Sequence, residues 1–332
     1  MLRVALDLDG ALEPFGETMV DLASALSEAG QCELVRFRSW SAPTDADVRL
    51  GGRWWWRRWW RAGRGWPLDR WLAGADVVHV AGPTVPPTRE IPLVISVEDL
   101  RPLREGGARG ERGERLRRAL RRGALIATSN STARLEVARV LGVSLDRVVA
   151  VPPPVPALPV RAQAPGAPAL VVHVAGATRQ YLAVADGLLA LARARGLAMI
   201  VLSSAEVAER VGGGPVLVRN RREGTAQLAA ARVLVHLADG ARFPSLPLAA
   251  LGAGIPVVTP ADPVTRELLG GAAVLTSSPD EIVSATAAAL DDPAQRAIAR
   301  AAGPVRAADF HPTRAASAYL ELYAQVVRDW TP

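Results

Sequence analysis

Short runs rich in Val, Ile and Leu alternate with helical patterns along the whole chain, and this alternation is broken once. LRVALD, CELVRF, DVVHV, PLVISV, ALIAT and RVVAV read as strands in the first half. GETMVDLASALSEAG and STARLEVARVLG carry helical spacing between them, the second with Asn130 or Ser131 placed as its N-cap. Near-continuous apolar strands separated by helices predict a parallel sheet covered on both faces. Residues 151–170, VPPPVPALPVRAQAPGAPAL, then form a stretch in which neither helix nor sheet can continue. Beyond it the pattern restarts: ALVVHVAG, a helix through QYLAVADGLLALARARG, AMIVLSS, VLVR, TAQLAAA, RVLVHLAD, LPLAALGAG and IPVVT. TRAASAYLELYAQVVRDW closes the chain as an amphipathic helix. The prediction is α/β: two doubly wound Rossmann-like domains, 1–155 and 156–332, facing each other across a cleft. The last helix is free to cross back to the first domain.

Composition removes several kinds of chemistry. All 39 basic residues are Arg. No Lys is present for a Walker-type phosphate loop or a Schiff base. Cys32 is the single cysteine, which excludes an intrachain disulfide and a multi-cysteine metal site. His79, His173, His236 and His311 lie far apart and show no metal-ligand spacing, so no metal is expected. No apolar run reaches the roughly 18 residues of a membrane span. MLRVALDLDG has carboxylates where a signal peptide would be apolar, and a cytoplasmic protein is expected.

The net charge of +6 is concentrated in two segments. RWWWRRWWRAGRGW, residues 53–66, has five Arg and no acid. As a helix it would gather Trp55, Trp56, Trp59 and Trp60 largely on one face, with Arg57, Arg58 and Arg61 nearby or opposite. That mixture suits a membrane interface, an acceptor groove that stacks sugar rings, or a loop folded back on its domain. Residues 101–124 hold nine Arg against three Glu and read best as a solvated helix face plus a loop. No recognition motif accompanies either segment, so nucleic acid is not an expected partner.

VALDLDGAL, residues 4–12, resembles the nucleophile loop of haloacid-dehalogenase-type phosphatases, with Asp7 as nucleophile and Asp9 managing the proton. Thr128 or Ser129, ending ALIATSN, and Asp239, ending RVLVHLAD, would complete that site. A basic phosphoryl holder and a second late carboxylate are missing, Arg242 and Phe243 standing where the latter belongs.

A second resemblance covers nearly the whole chain. RVALDLDGALEPFGETMVDLASALSEAG, GADVVHVAG, PLVISVEDLRPL, ATSNSTA and DRVVAVPPPVP follow, in order, the segments of retaining family 4 GT-B glycosyltransferases. VVHVAGATRQYLAVADGLLAL resembles that family's G-x-x-x-x-R-K-N segment and its helix. AARVLVHLADGARFPSLPLAALGAGIPVVT aligns without gaps on its E-x7-E region. The resemblance implies a metal-independent enzyme without a cofactor. It would transfer a hexosyl group from a nucleotide sugar, as substrate, to a glycan or lipid-linked acceptor. An anionic membrane surface, on its inner face, is a further implied partner, and another glycosyltransferase would be the partner of a catalytically silent chain. Donor-site positions fall on Arg179 as phosphate binder, with Gln180, Gly16, Phe243 and Ser245, and Ser245 is expected to cap the helix LPLAALG.

The departures all fall at site positions. Gln180 replaces the family's Lys, Glu98 its His, and Pro154 a Gly; Ala241 and Ala249 replace both Glu of the E-x7-E pair. Glu98, Asp99 and Asp239 are the remaining carboxylate candidates for catalysis. A catalytically silent GT-B protein that binds an active transferase is the alternative those alanines raise.

Overall fold

The computed structural model describes residues 1–8, 18–38, 47–49, 67–81, 85–97, 111–158, 169–203, 216–218, 221–238 and 242–330. Its first half runs β1 (Leu2–Asp7), α1 (Thr18–Ala29), β2 (Cys32–Arg38), β3 (Val48–Arg49), β4 (Val77–Ala81), β5 (Leu93–Val97), α2 (Glu111–Arg121), β6 (Leu125–Thr128), α3 (Ser131–Leu141) and β7 (Val148–Ala150). Then follow β8 (Ala169–Ala175), α4 (Thr178–Ala194), β9 (Ala198–Ser203), β10 (Val216–Val218), α5 (Arg221–Ala229), β11 (Ala231–Ala238), α6 (Ser245–Gly252), β12 (Val257–Pro260), α7 (Pro263–Leu269) and β13 (Val274–Thr276). Three helices finish the chain: α8 (Pro279–Asp291), α9 (Pro293–Ala307) and α10 (Pro312–Asp329).

These elements form two compact units. One takes the chain up to Pro154 together with Pro312–Pro332, and the other takes Val155–His311. The first unit's sheet has the order β3-β2-β1-β4-β5-β6-β7, the second's β10-β9-β8-β11-β12-β13. All strand pairs within both are parallel. In each, the first strand is followed on one side by its successors, and the chain then crosses to the other side. The order therefore reverses between β1 and β4 in one sheet and between β8 and β11 in the other, and α/β sheets bind ligands at the carboxyl ends of such strands.

The apolar pattern explains the elements. Every residue of VVHVA in β4 and LVISV in β5 is buried, as expected for central strands covered on both faces. On one face of the first sheet, Met19, Leu22 and Leu26 of α1 pack with Tyr319, Leu322, Tyr323 and Val326 of α10 in one core cluster. The cluster of the second sheet takes Tyr181, Val184 and Leu188 from α4 with Ile282 and Leu290 from α8.

Caps set where helices begin. Asn130, not Ser131, is the cap of α3, its side chain accepting from the Ala133 N–H at 2.7 Å. Asp262 accepts from Val264 and Thr265 while Thr265 Oγ1 accepts from the Asp262 N–H, a reciprocal box at the start of α7. Glycine decides one packing contact. A Cβ on Gly303 of α9 would stand 2.4 Å from the Leu251 carbonyl oxygen of α6, so only Gly allows these helices their separation. Among the described residues no helix is long and apolar enough to cross a membrane.

Candidate functional site

The second sheet's reversal point concentrates the residues singled out in its sequence. β8 and β11 run side by side in register from Val233↔Leu170 to Ala238↔Ala175. Gly176, at φ 82°, turns the chain out of β8 and bridges to Ala238. This left-handed turn brings α4 up within two residues of the strand end, which a residue with a Cβ would do under strain.

Arg179 and Gln180 are exposed in the first turn of α4. The Thr178 N–H bonds to the Gly176 carbonyl at 2.9 Å and the Tyr181 N–H to that of Ala177 at 3.0 Å. The N–H groups of Arg179 and Gln180 have no partner among the described residues, and no side chain caps the helix. The Arg179 guanidinium likewise makes no hydrogen bond or ion pair among them. Two amides and a guanidinium without partners among the described residues, all at one helix start, make an arrangement suited to an anion.

Ser245 does not cap its helix. Pro244 holds the capping position and Ser245 is already the first helical residue, its own N–H turned back to the Phe243 carbonyl at 3.0 Å. Pro247 has no N–H, and Leu248 donates to the Pro244 carbonyl at 3.0 Å. This helix start thus presents a single amide, that of Leu246. Phe243 is half-buried, its ring tilted against Phe310 with centroids 5.7 Å apart. A pocket of about 50 Å³ opens beside α6, lined by Val155, Pro156, Thr225, Ser245, Leu246 and Ala249. The position of the second Glu of the E-x7-E pair, Ala249, is therefore a methyl group on a pocket wall.

Beneath this reversal lies a pair that sequence spacing did not reveal. His173 of β8 and His236 of β11 are register partners, with Nδ1 atoms 3.0 Å apart and rings stacked at 5.0 Å. Between two neutral imidazoles at this distance one Nδ1–H donates to the other ring's Nδ1, which makes the two opposite tautomers. Burial pushes the His173 imidazole down to about 4, and His236 is lowered well below 6.5 by burial first and by the neighbouring His173 second. They are 63 residues apart in the chain, and only the strand order makes them neighbours.

The first sheet has a counterpart. His79 of β4 is fully buried, its Nδ1 2.7 Å from Tyr323 Oη and its Nε2 2.8 Å from Ser96 Oγ. Burial lowers it to about 3 and holds the Tyr323 phenol well above its ordinary value, so the phenol stays protonated.

The phosphatase constellation does not assemble. Asp7 ends β1 and Thr128 ends β6, with β4 and β5 between them. Three strand spacings separate the two ends by about 14 Å, beyond the reach of one phosphoryl group. The Thr128 hydroxyl instead closes its own turn, donating to the Asn130 carbonyl at 3.3 Å. The strand that leads to Asp239 belongs to the other sheet. Asp9, Gly16, Glu98, Asp99, Asp239 and Ala241 lie outside the described residues, as do Trp55, Trp56, Arg57, Arg58, Trp59 and Trp60. No group of three His, Cys, Asp or Glu that could hold a metal occurs among the described residues.

No protein-family model and no curated protein matches the sequence. Solved structures do match the fold. Sucrose-phosphate synthase from Thermosynechococcus elongatus is 16% identical with a TM-score of 0.71, the match covering 99% of this chain and 100% of that one. AviGT4, a glycosyltransferase involved in avilamycin A biosynthesis, is 18% identical with a TM-score of 0.62 and complete coverage of both chains. Anabaena HepE, solved in complex with UDP and glucose, is 12% identical with a TM-score of 0.64, covering 98% of this chain and 100% of that one. The fold is the GT-B fold of glycosyltransferases.

Proposed function

We propose that the chain is a retaining glycosyltransferase that moves a hexosyl group from a nucleotide sugar to a glycan or lipid-linked acceptor. The observation that carries this reading is the free anion site at the reversal point of the second sheet. There the Arg179 guanidinium and the amides of Arg179 and Gln180 have no partner among the described residues. A diphosphate is the ligand such a start of helix suits, and stabilising it as it departs is the main task in breaking the sugar C1–O bond. The acceptor oxygen then bonds to C1, and its proton passes to a base. Glu98, Asp99 and Asp239 are the candidate carboxylates. Ala249 gives the ribose no carboxylate, and the pocket beside it offers Ser245 and Thr225 instead. The nucleotide sugar is a substrate, and no cofactor or metal enters the reading. The expected setting is cytoplasmic, peripheral on the inner membrane face, with the Trp and Arg stretch as the contact.

Ala249 on the pocket wall favours a second reading, a silent GT-B protein that partners an active transferase. Calorimetric titration with UDP, GDP and their hexose conjugates, without metal, separates the two. Binding of one nucleotide, weakened about tenfold or more in Arg179→Ala, supports the enzyme, since charge-assisted hydrogen bonds carry that much. No heat with any of them removes the transferase reading in favour of the partner role.

A further inference from the structure

The first unit holds a larger cavity, of about 130 Å³, on the opposite edge of its sheet from the reversal point. Leu93, which begins β5, and Ala124, which precedes β6, both line it, so it sits at the amino ends of the strands. Arg115, Arg118 and Arg122 line it as well, with Thr88 and Trp330, and no described acidic residue does.

The charge arrangement on α2 is selective. Glu114 binds Arg117 at 2.8 Å and Arg121 at 3.1 Å, so those two guanidiniums are matched. Arg118 and Arg122, one turn apart beside the cavity, have no ion pair or side-chain hydrogen bond among the described residues. Like charges at that spacing repel each other and destabilise a helix unless an anion comes between them.

Thr88 and Trp330 line the same cavity. Thr88 is only 7% exposed, and no hydrogen bond reaches its hydroxyl among the described residues. The Trp330 indole N–H is buried and has no acceptor among the described residues. The Thr88 hydroxyl is a donor of the kind an oxyanion satisfies.

The wall is also rigid before any ligand arrives. The Leu68 N–H donates to the Pro87 carbonyl at 2.9 Å, and the Asp69 carboxylate accepts from the N–H groups of Arg89, Glu90 and Ile91. The Trp330 ring is seated against Gly123, where a Cβ would stand 2.9 Å from the indole. A cavity smaller than the roughly 300–1,000 Å³ of whole-ligand pockets takes a head group and leaves the remainder outside.

We propose that this cavity binds a phosphomonoester group, presented either by a small metabolite or by a lipid headgroup. Arg118 and Arg122 neutralise the phosphate, and the Thr88 hydroxyl donates to one of its oxygens. The test is calorimetry of the whole chain with inorganic phosphate and glycerol phosphate, alongside sedimentation with phosphatidylcholine vesicles with and without phosphatidic acid. Four proteins are compared: unaltered, Arg118→Gln with Arg122→Gln, Arg121→Gln, and Arg179→Ala.

Binding that survives Arg121→Gln and Arg179→Ala, yet falls about tenfold or more in the double variant, supports the site. A soluble ligand alone then identifies a metabolite, and selective sedimentation with phosphatidic acid identifies a headgroup. An equal loss in Arg121→Gln, showing diffuse charge, overturns the proposal. So does loss in Arg179→Ala alone, or no binding of any probe at millimolar concentration.

Discussion

The two sheets place a buried histidine at the same station and satisfy it differently. His79 and His236 each lie two residues before the end of the strand across the reversal point, β4 in one sheet and β11 in the other. The register partner of His79 on the first strand is Leu6, and that of His236 is His173. With Leu6 opposite, His79 finds its partners elsewhere: Ser96 on the next strand and Tyr323 on the last helix. Its imidazole thereby ties α10, whose Tyr319 hydroxyl also reaches the Val151 carbonyl, to the sheet's centre. His236 and His173 use each other, on the two strands that lead into α4 and α6. A buried imidazole needs hydrogen-bond partners, and whichever element supplies them becomes fixed. In the first unit that element is a helix 244 residues away in sequence, and in the second it is the neighbouring strand.

Acid attacks both arrangements, and the effect is the largest expected. Burial keeps these histidines neutral when folded, whereas the unfolded chain protonates them near 6.5. Their contribution is complete above pH 6.5 and is lost as pH falls toward about 3 for His79 and about 4 for His173. By pH 4 the loss is about 3 kcal/mol for each of these two. Urea unfolding at pH 7, 5.5 and 4 checks this, and a flat stability profile would contradict it.

Substitution separates the two arrangements. His79→Leu strands the buried Tyr323 and Ser96 hydroxyls and is expected to cost about 3 kcal/mol or more. His236→Leu leaves one imidazole nitrogen of His173 without its partner and should cost about 1–3 kcal/mol. The double variant His173→Leu with His236→Leu should then lose less than the sum of its singles, because both members of the pair go together. A double-mutant cycle by chemical denaturation measures this coupling, and strict additivity would show that the pair does not act as a unit.

Tyr323→Phe is the mildest of these changes. It removes one hydroxyl, leaves one His79 nitrogen unpaired, and should cost about 1–2 kcal/mol. It should also loosen α10 selectively. Hydrogen exchange faster in 312–329 than in β11 would confirm the anchor, and uniform protection would deny it.

Much of this architecture was legible in residue order. LRVALD, DVVHV and ALVVHVAG are strands because apolar, β-branched runs of that length suit central strands. The start of α3 was legible to within one residue, since both Asn130 and Ser131 are capping types and only the backbone decides between them. β13, three residues between GGAA and SSPD, is too short to show a period. The cap proposed for Ser245 failed because Pro244 takes the capping position one residue earlier.

Site chemistry was less legible. Arg179 could be placed by its position after β8, but its freedom from partners could not. The basic segment around α2 reads as a solvated face in sequence. The structure divides it into arginines matched by Glu114 and arginines that line a cavity closed by Trp330, two hundred residues on.

By itself the sequence determined the periods, the proline break and the absence of lysine, because strand, helix and charge are set by neighbours a few residues away. Tertiary structure alone decided that His173 faces His236, that His79 holds Tyr323, and that Arg118 and Arg122 share a wall with Trp330. Those contacts depend on strand order and on the return of α10, and long-range packing chooses both from many arrangements with the same local pattern.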